Sequence, residues 1–80
     1  MFYAYVLKSI GFEFYYKGHC EDINERLRRH NSGMTPSIKK FIPFKVVYFE
    51  EFETRDEAIN REKYFKTAAR RRYLKKKMAL

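Results

Sequence analysis

The sequence predicts a small α+β (α/β) domain in which a three-stranded, mainly antiparallel sheet is flanked by helices, in the order β-β-α-β-α-α. Three observations predict it. Two aromatic-rich runs, 2–8 and 14–17, flank a glycine-marked turn as the arms of a hairpin do. A third such run, 44–52, leads directly into Thr54-Arg55-Asp56-Glu57, which has the form of a capping box. Between them and after them, apolar residues recur at helical spacing.

The elements follow in order. Residues 2–8 (FYAYVLK) read as the first strand, Gly11 marks a turn longer than a tight two-residue one, and residues 14–17 resume the pattern. Gly18 is expected to end that second strand. Residues 21–30 read as a helix: Ile23, Leu27 and His30 share a side, and Glu21 and Asp22 sit at its positive N-terminal end. Asn31-Ser32-Gly33 stops it. Pro36 and Pro43 punctuate a connector in which residues 35–40 add a helical turn. After the third strand, 44–52, the capped helix carries Ala58, Ile59, Glu62 and Phe65 along one stripe. Thr67-Ala68-Ala69 is a weak break before a last, basic helix docked by Tyr73 and Leu74. The expected organisation is one domain over residues 1–67, with 68–80 a basic C-terminal helix packed on it or extending it.

Eighty residues make one domain with a modest core, since a chain this short buries only roughly 60–65% of its unfolded surface. Eight Phe and seven Tyr compensate, each burying a large area with few rotors to freeze. The single cysteine, Cys20, excludes an internal disulfide and suits a reducing compartment. No apolar run is long enough to span a membrane and the start does not read as a signal peptide, so a soluble, cytoplasmic protein is expected. The net charge of +8 is unevenly placed. Residues 63–80 carry eight basic groups and no acid, so residues 1–62 are neutral overall. A second acid-free stretch, 26–49, contains Arg26, Arg28, Arg29, Lys39, Lys40 and Lys45. Segregation of this kind reads as a surface for a polyanion, with a solvated tail as the plainer reading.

A few residues are candidates for chemistry. Tyr3 and Tyr5 share one face of the first strand because side chains alternate, and Tyr16 lies on the partner strand. Each alone is an ordinary strand residue. Arg26 and His30 stand one helical turn apart beside a core stripe, where arginine usually snorkels outward and histidine is usually structural. Glu62 is the more telling residue, because a carboxylate rarely faces a core unless it is paired or holds a cation. Its plain reading is a salt bridge to a nearby Lys or Arg.

The order of these residues along the chain resembles the GIY-YIG nuclease family. The matching text is FYAYVLKS, YYKGHCEDINERLRRHNSG and VYFEEFETRDEAINREKYFK, which together span residues 2–66. It is similar to the small single-domain bacterial members, whose domain is of the type found at the N-terminus of the excinuclease ABC incision protein. The first motif is Tyr-Ala-Tyr in place of Gly-Ile-Tyr, and Lys17 replaces the apolar middle residue of the second. Neither change removes a reacting group. After Glu62 the chain has no Asn, a residue some members carry late in the sequence.

The resemblance implies catalytic roles for Tyr5, Tyr16, Arg26 and His30, a single divalent cation (Mg²⁺ or Mn²⁺) on Glu62, and structural motif positions at Tyr3 and Gly18. Gly18 would let backbone pass close to substrate. The chemistry suits these residue types: a cation can stabilise a leaving oxygen, and arginine can fork onto a phosphate. A tyrosine or His30 takes the water proton, or His30 holds a tyrosine in place. The expected partner is nucleic acid, DNA rather than RNA, and the expected activity is endonucleolytic phosphodiester hydrolysis, with DNA repair as one setting. Sequence-independent phosphate contacts would come from Arg29, Lys39, Lys40, Arg70, Arg71, Arg72, Lys75, Lys76 and Lys77. Two other classes compete: a non-catalytic nucleic-acid-binding module that keeps the fold, and a protein-interaction domain whose basic tail meets an acidic partner. The nuclease reading expects Tyr5, Tyr16, Arg26, His30 and Glu62 to converge on one concave face.

Overall fold

Strand β1, Phe2–Ser9, is the described strand with four successive buried residues at its centre, and it takes the middle place in the sheet. Ala4, Tyr5, Val6 and Leu7 are each at most 1% exposed, so both faces of β1 are covered. Strand β2, Tyr15–Cys20, pairs antiparallel with it on one side, and strand β3, Phe44–Phe52, on the other. The order β2-β1-β3 puts β2 at one edge of the sheet and β3 at the other among the described residues. The computed structural model describes residues 1–67. The expected basic helix, with Arg70, Arg71, Arg72, Lys75, Lys76 and Lys77, lies outside the described residues.

Alternation along β1 divides the core in two. Tyr5 and Leu7 point to the face carrying helix α1, Ile23–Asn31, where they pack with Cys20, Ile38 and Phe44 and with Tyr16, Ile23 and Leu27. Ala4 and Val6 point to the face carrying helix α2, Arg55–Phe65, and pack against Phe65. A register shift in β3 lets it serve both layers. Val6 pairs with Tyr48 but Leu7 with Val46, so Val47 is an extra residue at a bulge.

The helix ends are specified locally. Asp22 caps α1 by accepting from the Glu25 amide at 3.0 Å, so α1 starts two residues later than periodicity suggests. Gly33, at φ +84°, turns the chain away after α1 while its amide donates to the His30 carbonyl. Asn31 then ties that end to β3: its amide oxygen accepts from Phe44 N at 2.7 Å and its amide nitrogen donates to Phe44 O at 3.1 Å. The connector holds a short 3-10 helix, Pro36–Phe41. The capping box at Thr54 and Glu57 is formed in both directions.

One expectation is corrected here. Gly18 does not end β2. It sits inside the strand, paired with Tyr5, and two more residues, His19 and Cys20, continue the ladder. Glycine usually weakens a strand, and here its missing side chain is the point. A Cβ at Gly18 would stand 2.5 Å from the Tyr5 hydroxyl and 2.6 Å from its Cζ. The Tyr5 ring lies across the β2 backbone at this place. Among the described residues, no helix is long and apolar enough to cross a membrane.

Candidate active site

Tyr5, Tyr16 and His30 form one cluster on the α1 face. β1 and β2 bring the tyrosine rings to 6.5 Å, and α1 carries His30 to 6.3 Å from Tyr5 and 4.9 Å from Tyr16, centroid to centroid. His30 is 3% exposed and both of its ring nitrogens are engaged. Nε2 lies 3.1 Å from the Tyr5 hydroxyl and Nδ1 lies 2.7 Å from Thr35 Oγ1. In the tautomer with its proton on Nδ1, the imidazole donates to Thr35 and accepts from Tyr5.

The electrostatics of the pair are set by burial. Desolvation, with the neighbouring Tyr16, pushes the Tyr5 phenol well above its ordinary range, although Arg26 pulls it down. Tyr5 therefore keeps its proton at neutral pH. Desolvation also pushes His30 below its ordinary value, helped by the cations Arg26 and Arg29. A neutral imidazole thus faces a protonated phenol, which is the charge state that the 3.1 Å contact suits.

Glu62 reaches the same place from the other face. It lies on α2, which packs over β1 and β2. Its Oε1 is 2.7 Å from His19 Nδ1 and its Oε2 is 2.7 Å from Lys66 Nζ. Burial alone would raise its carboxyl, but the hydrogen bonds from Lys66 and His19 hold it below the usual carboxylate range, so it is an anion. Tyr5, Tyr16 and His30 come in from the α1 side and Glu62 from the α2 side. The reason is alternation, since His19, its partner, points opposite to Gly18 and Tyr16. The two sides still communicate. Arg26 and Glu62 both act electrostatically on the Tyr5 phenol, whose ring extends over Gly18 on the edge strand.

The remaining candidates sort by position. Arg26 and Arg29 line a cavity of about 350 Å³ beside the edge, together with Phe2, His19, Cys20 and Arg55 and the acids Glu21, Asp22 and Glu25. Lys39 and Lys40 lie on the 3-10 helix, outside that lining. Tyr3 turns toward β3, with its ring 6.0 Å from Phe49 and its hydroxyl 3.5 Å from Glu51 Oε1, so it stands apart from the tyrosine cluster. Two residues were missed in the sequence. His19 had a signal, being a polar residue next to Gly18 in a strand whose faces alternate. Thr35 had none, because only the turn after α1 brings it to His30.

Among the described residues, no three His, Cys, Asp or Glu side chains gather as a metal cluster. A cation bound here would have a donor set of one carboxylate, Glu62, with its side chain 18% exposed. That set fits Mg²⁺, which is commonly bound by one or two carboxylates, with waters and substrate phosphate oxygens completing the shell. Lys66, which also pairs with this carboxylate, has a side chain 55% exposed.

An antiparallel sheet of three strands with a helix on each face, and tyrosines of its central and edge strands meeting a helix histidine, defines a small α+β domain. The chain belongs to the GIY-YIG family: the model of the GIY-YIG catalytic domain matches residues 1–77. Within that family it is similar to UPF0213 proteins. One from Staphylococcus saprophyticus is 36% identical over 74 residues, covering 91% of this chain and 89% of the relative. One from Listeria welshimeri is 40% identical over 70 residues, covering 86% and 77%. The solution NMR structure of a UPF0213 protein from Bacillus halodurans shares the fold, with a TM-score of 0.53 and 26% identity over 92% of this chain and 82% of that one.

Proposed function

We propose that the protein is a divalent-metal-dependent endonuclease that hydrolyses phosphodiester bonds in DNA. The carrying observation is that one buried phenol, Tyr5, is hydrogen-bonded to a neutral histidine and lies within the electrostatic reach of both an arginine and a carboxylate beside the edge strand β2. The family supports the class of reaction. The basic excess of residues 63–80 supports a polyanionic substrate.

In this reading Tyr5 and His30 work as a relay. A phenol that holds its proton so tightly is scarcely populated as phenolate at neutral pH. It can instead take the water proton on its oxygen while its own proton passes to His30 Nε2. The resulting imidazolium still donates from Nδ1 to Thr35. Tyr16 packs beside both rings and fixes their place. Arg26 forks onto the phosphate, and Arg29, Lys39, Lys40 and the basic residues 70–77 hold the flanking backbone. Glu62 would hold Mg²⁺ or Mn²⁺, which supplies charge stabilisation at the leaving oxygen.

Supercoiled plasmid with Mg²⁺ or Mn²⁺ tests the reading. The wild type should nick it, and Glu62→Gln, Arg26→Ala and Tyr5→Phe should each lose about 100-fold or more. Cleavage unchanged in Glu62→Gln would reject it. Salt-dependent DNA binding with no cleavage under either metal would favour a binding module on the same fold.

A further inference from the structure

His19 has no place in the relay, yet its position is well defined. It stands on the edge strand, its side chain is 36% exposed, and its Nδ1 lies 2.7 Å from Glu62 Oε1. The two residues are brought together from distant parts of the chain by the α2–β2 packing. The core does not require an imidazole there, since the described apolar contacts on this face run through Ala4, Val6 and Phe65. Two donors on adjacent positions of an octahedral ion with bonds of about 2.1 Å stand about 3 Å apart. The His19–Glu62 separation is within a few tenths of an ångström of that spacing.

We infer that His19 is a second protein ligand to the cation, giving the site one nitrogen and one carboxylate donor. This rests on the assignment of the cation to Glu62. Binding takes the imidazole with its proton on Nε2, so that the Nδ1 lone pair meets the ion, and Lys66 withdraws from Oε2. An imidazole donor changes which ion the site favours. Mg²⁺ prefers an all-oxygen shell, whereas Mn²⁺ stands at the foot of the divalent series that accepts imidazole, with Co²⁺ and Ni²⁺ binding more tightly. The site should therefore take Mn²⁺ and Co²⁺ ahead of Mg²⁺.

Metal binding to the free protein, without DNA, tests this. Mn²⁺ binding is followed by electron paramagnetic resonance, and Co²⁺ and Mg²⁺ by calorimetry, in the wild type, His19→Ala, His19→Asn and Glu62→Gln. His19→Ala should weaken Mn²⁺ and Co²⁺ about tenfold or more and Mg²⁺ much less, in the range that loss of a group supporting a metal site produces. If His19 were only an ion-pair partner competing for Glu62, its removal would leave metal affinity unchanged or raise it, and that result overturns the inference. His19→Asn carries the same comparison should the alanine variant fold poorly. Retained affinity in Glu62→Gln instead overturns the assignment of the cation to Glu62, and with it the paired site. An inert His19→Ala alongside a defective Glu62→Gln rejects His19 alone.

Discussion

Gly18→Ala should be among the most damaging single-methyl additions available to this chain. The added carbon would meet the Tyr5 hydroxyl at 2.5 Å, Cζ at 2.6 Å and Cε2 at 3.1 Å. The end of a flexible side chain could step aside, but Tyr5 is a rigid ring, 1% exposed, between Tyr16 and His30. Overpacking of a filled core costs about 1–3 kcal/mol. Displacing the phenol also breaks its bond to buried His30, and an unsatisfied buried group costs about 1–3 kcal/mol more. A loss of about 2–6 kcal/mol follows. With a urea m-value near 1 kcal/mol/M for so small a domain, the midpoint should fall by about 2 M or more. A cycle with Tyr5→Leu isolates the cause, because leucine removes every clashing atom. In that background Gly18→Ala should cost less than about 1 kcal/mol. Equal costs in the two backgrounds, or a cost within about 0.5 kcal/mol of zero in the first, would refute the close approach as the reason for this glycine.

Three other outcomes are expected. Burial, then Arg26 and Arg29, lowers the His30 pKa, so on acidification the unfolded chain takes up this proton first. The contribution of neutral His30 is intact above about pH 6.5 and is lost as pH falls below it, ahead of the Glu62 contribution, which begins to go only below about pH 4.3. Urea midpoints from pH 7.5 to 5 should therefore decline in the wild type and flatten in His30→Asn. Asn31→Ala removes both side-chain bonds to Phe44 and should cost about 2 kcal/mol in chemical denaturation, while Asn31→Asp keeps the acceptor but sets an oxygen against the Phe44 carbonyl and should not recover the loss. Replacing Lys75, Lys76 and Lys77 together by Gln should reduce the slope of log affinity against log salt for duplex DNA by about 2–3, read by fluorescence anisotropy. An unchanged slope would remove these lysines from the interface.

What the sequence determined by itself was local. Caps, turn residues and periodicity lie within a few positions of the residues they control, so the third strand, the Thr54–Glu57 box and the stop at Gly33 were legible, and with them the α+β class and the motif order. Tertiary structure decided what depends on distant residues meeting. Gly18 looked like the end of a strand, because the ring that needs its space belongs to Tyr5, on another strand. Thr35 meets His30 only through the turn after α1. Glu62 was legible as an anomaly in an apolar stripe, and so was a nearby basic partner, which is Lys66, but its second partner, His19, was not. Strand alternation sends His19 to the opposite face from Tyr16, and only the docking of α2 over β2 sets imidazole and carboxylate 2.7 Å apart.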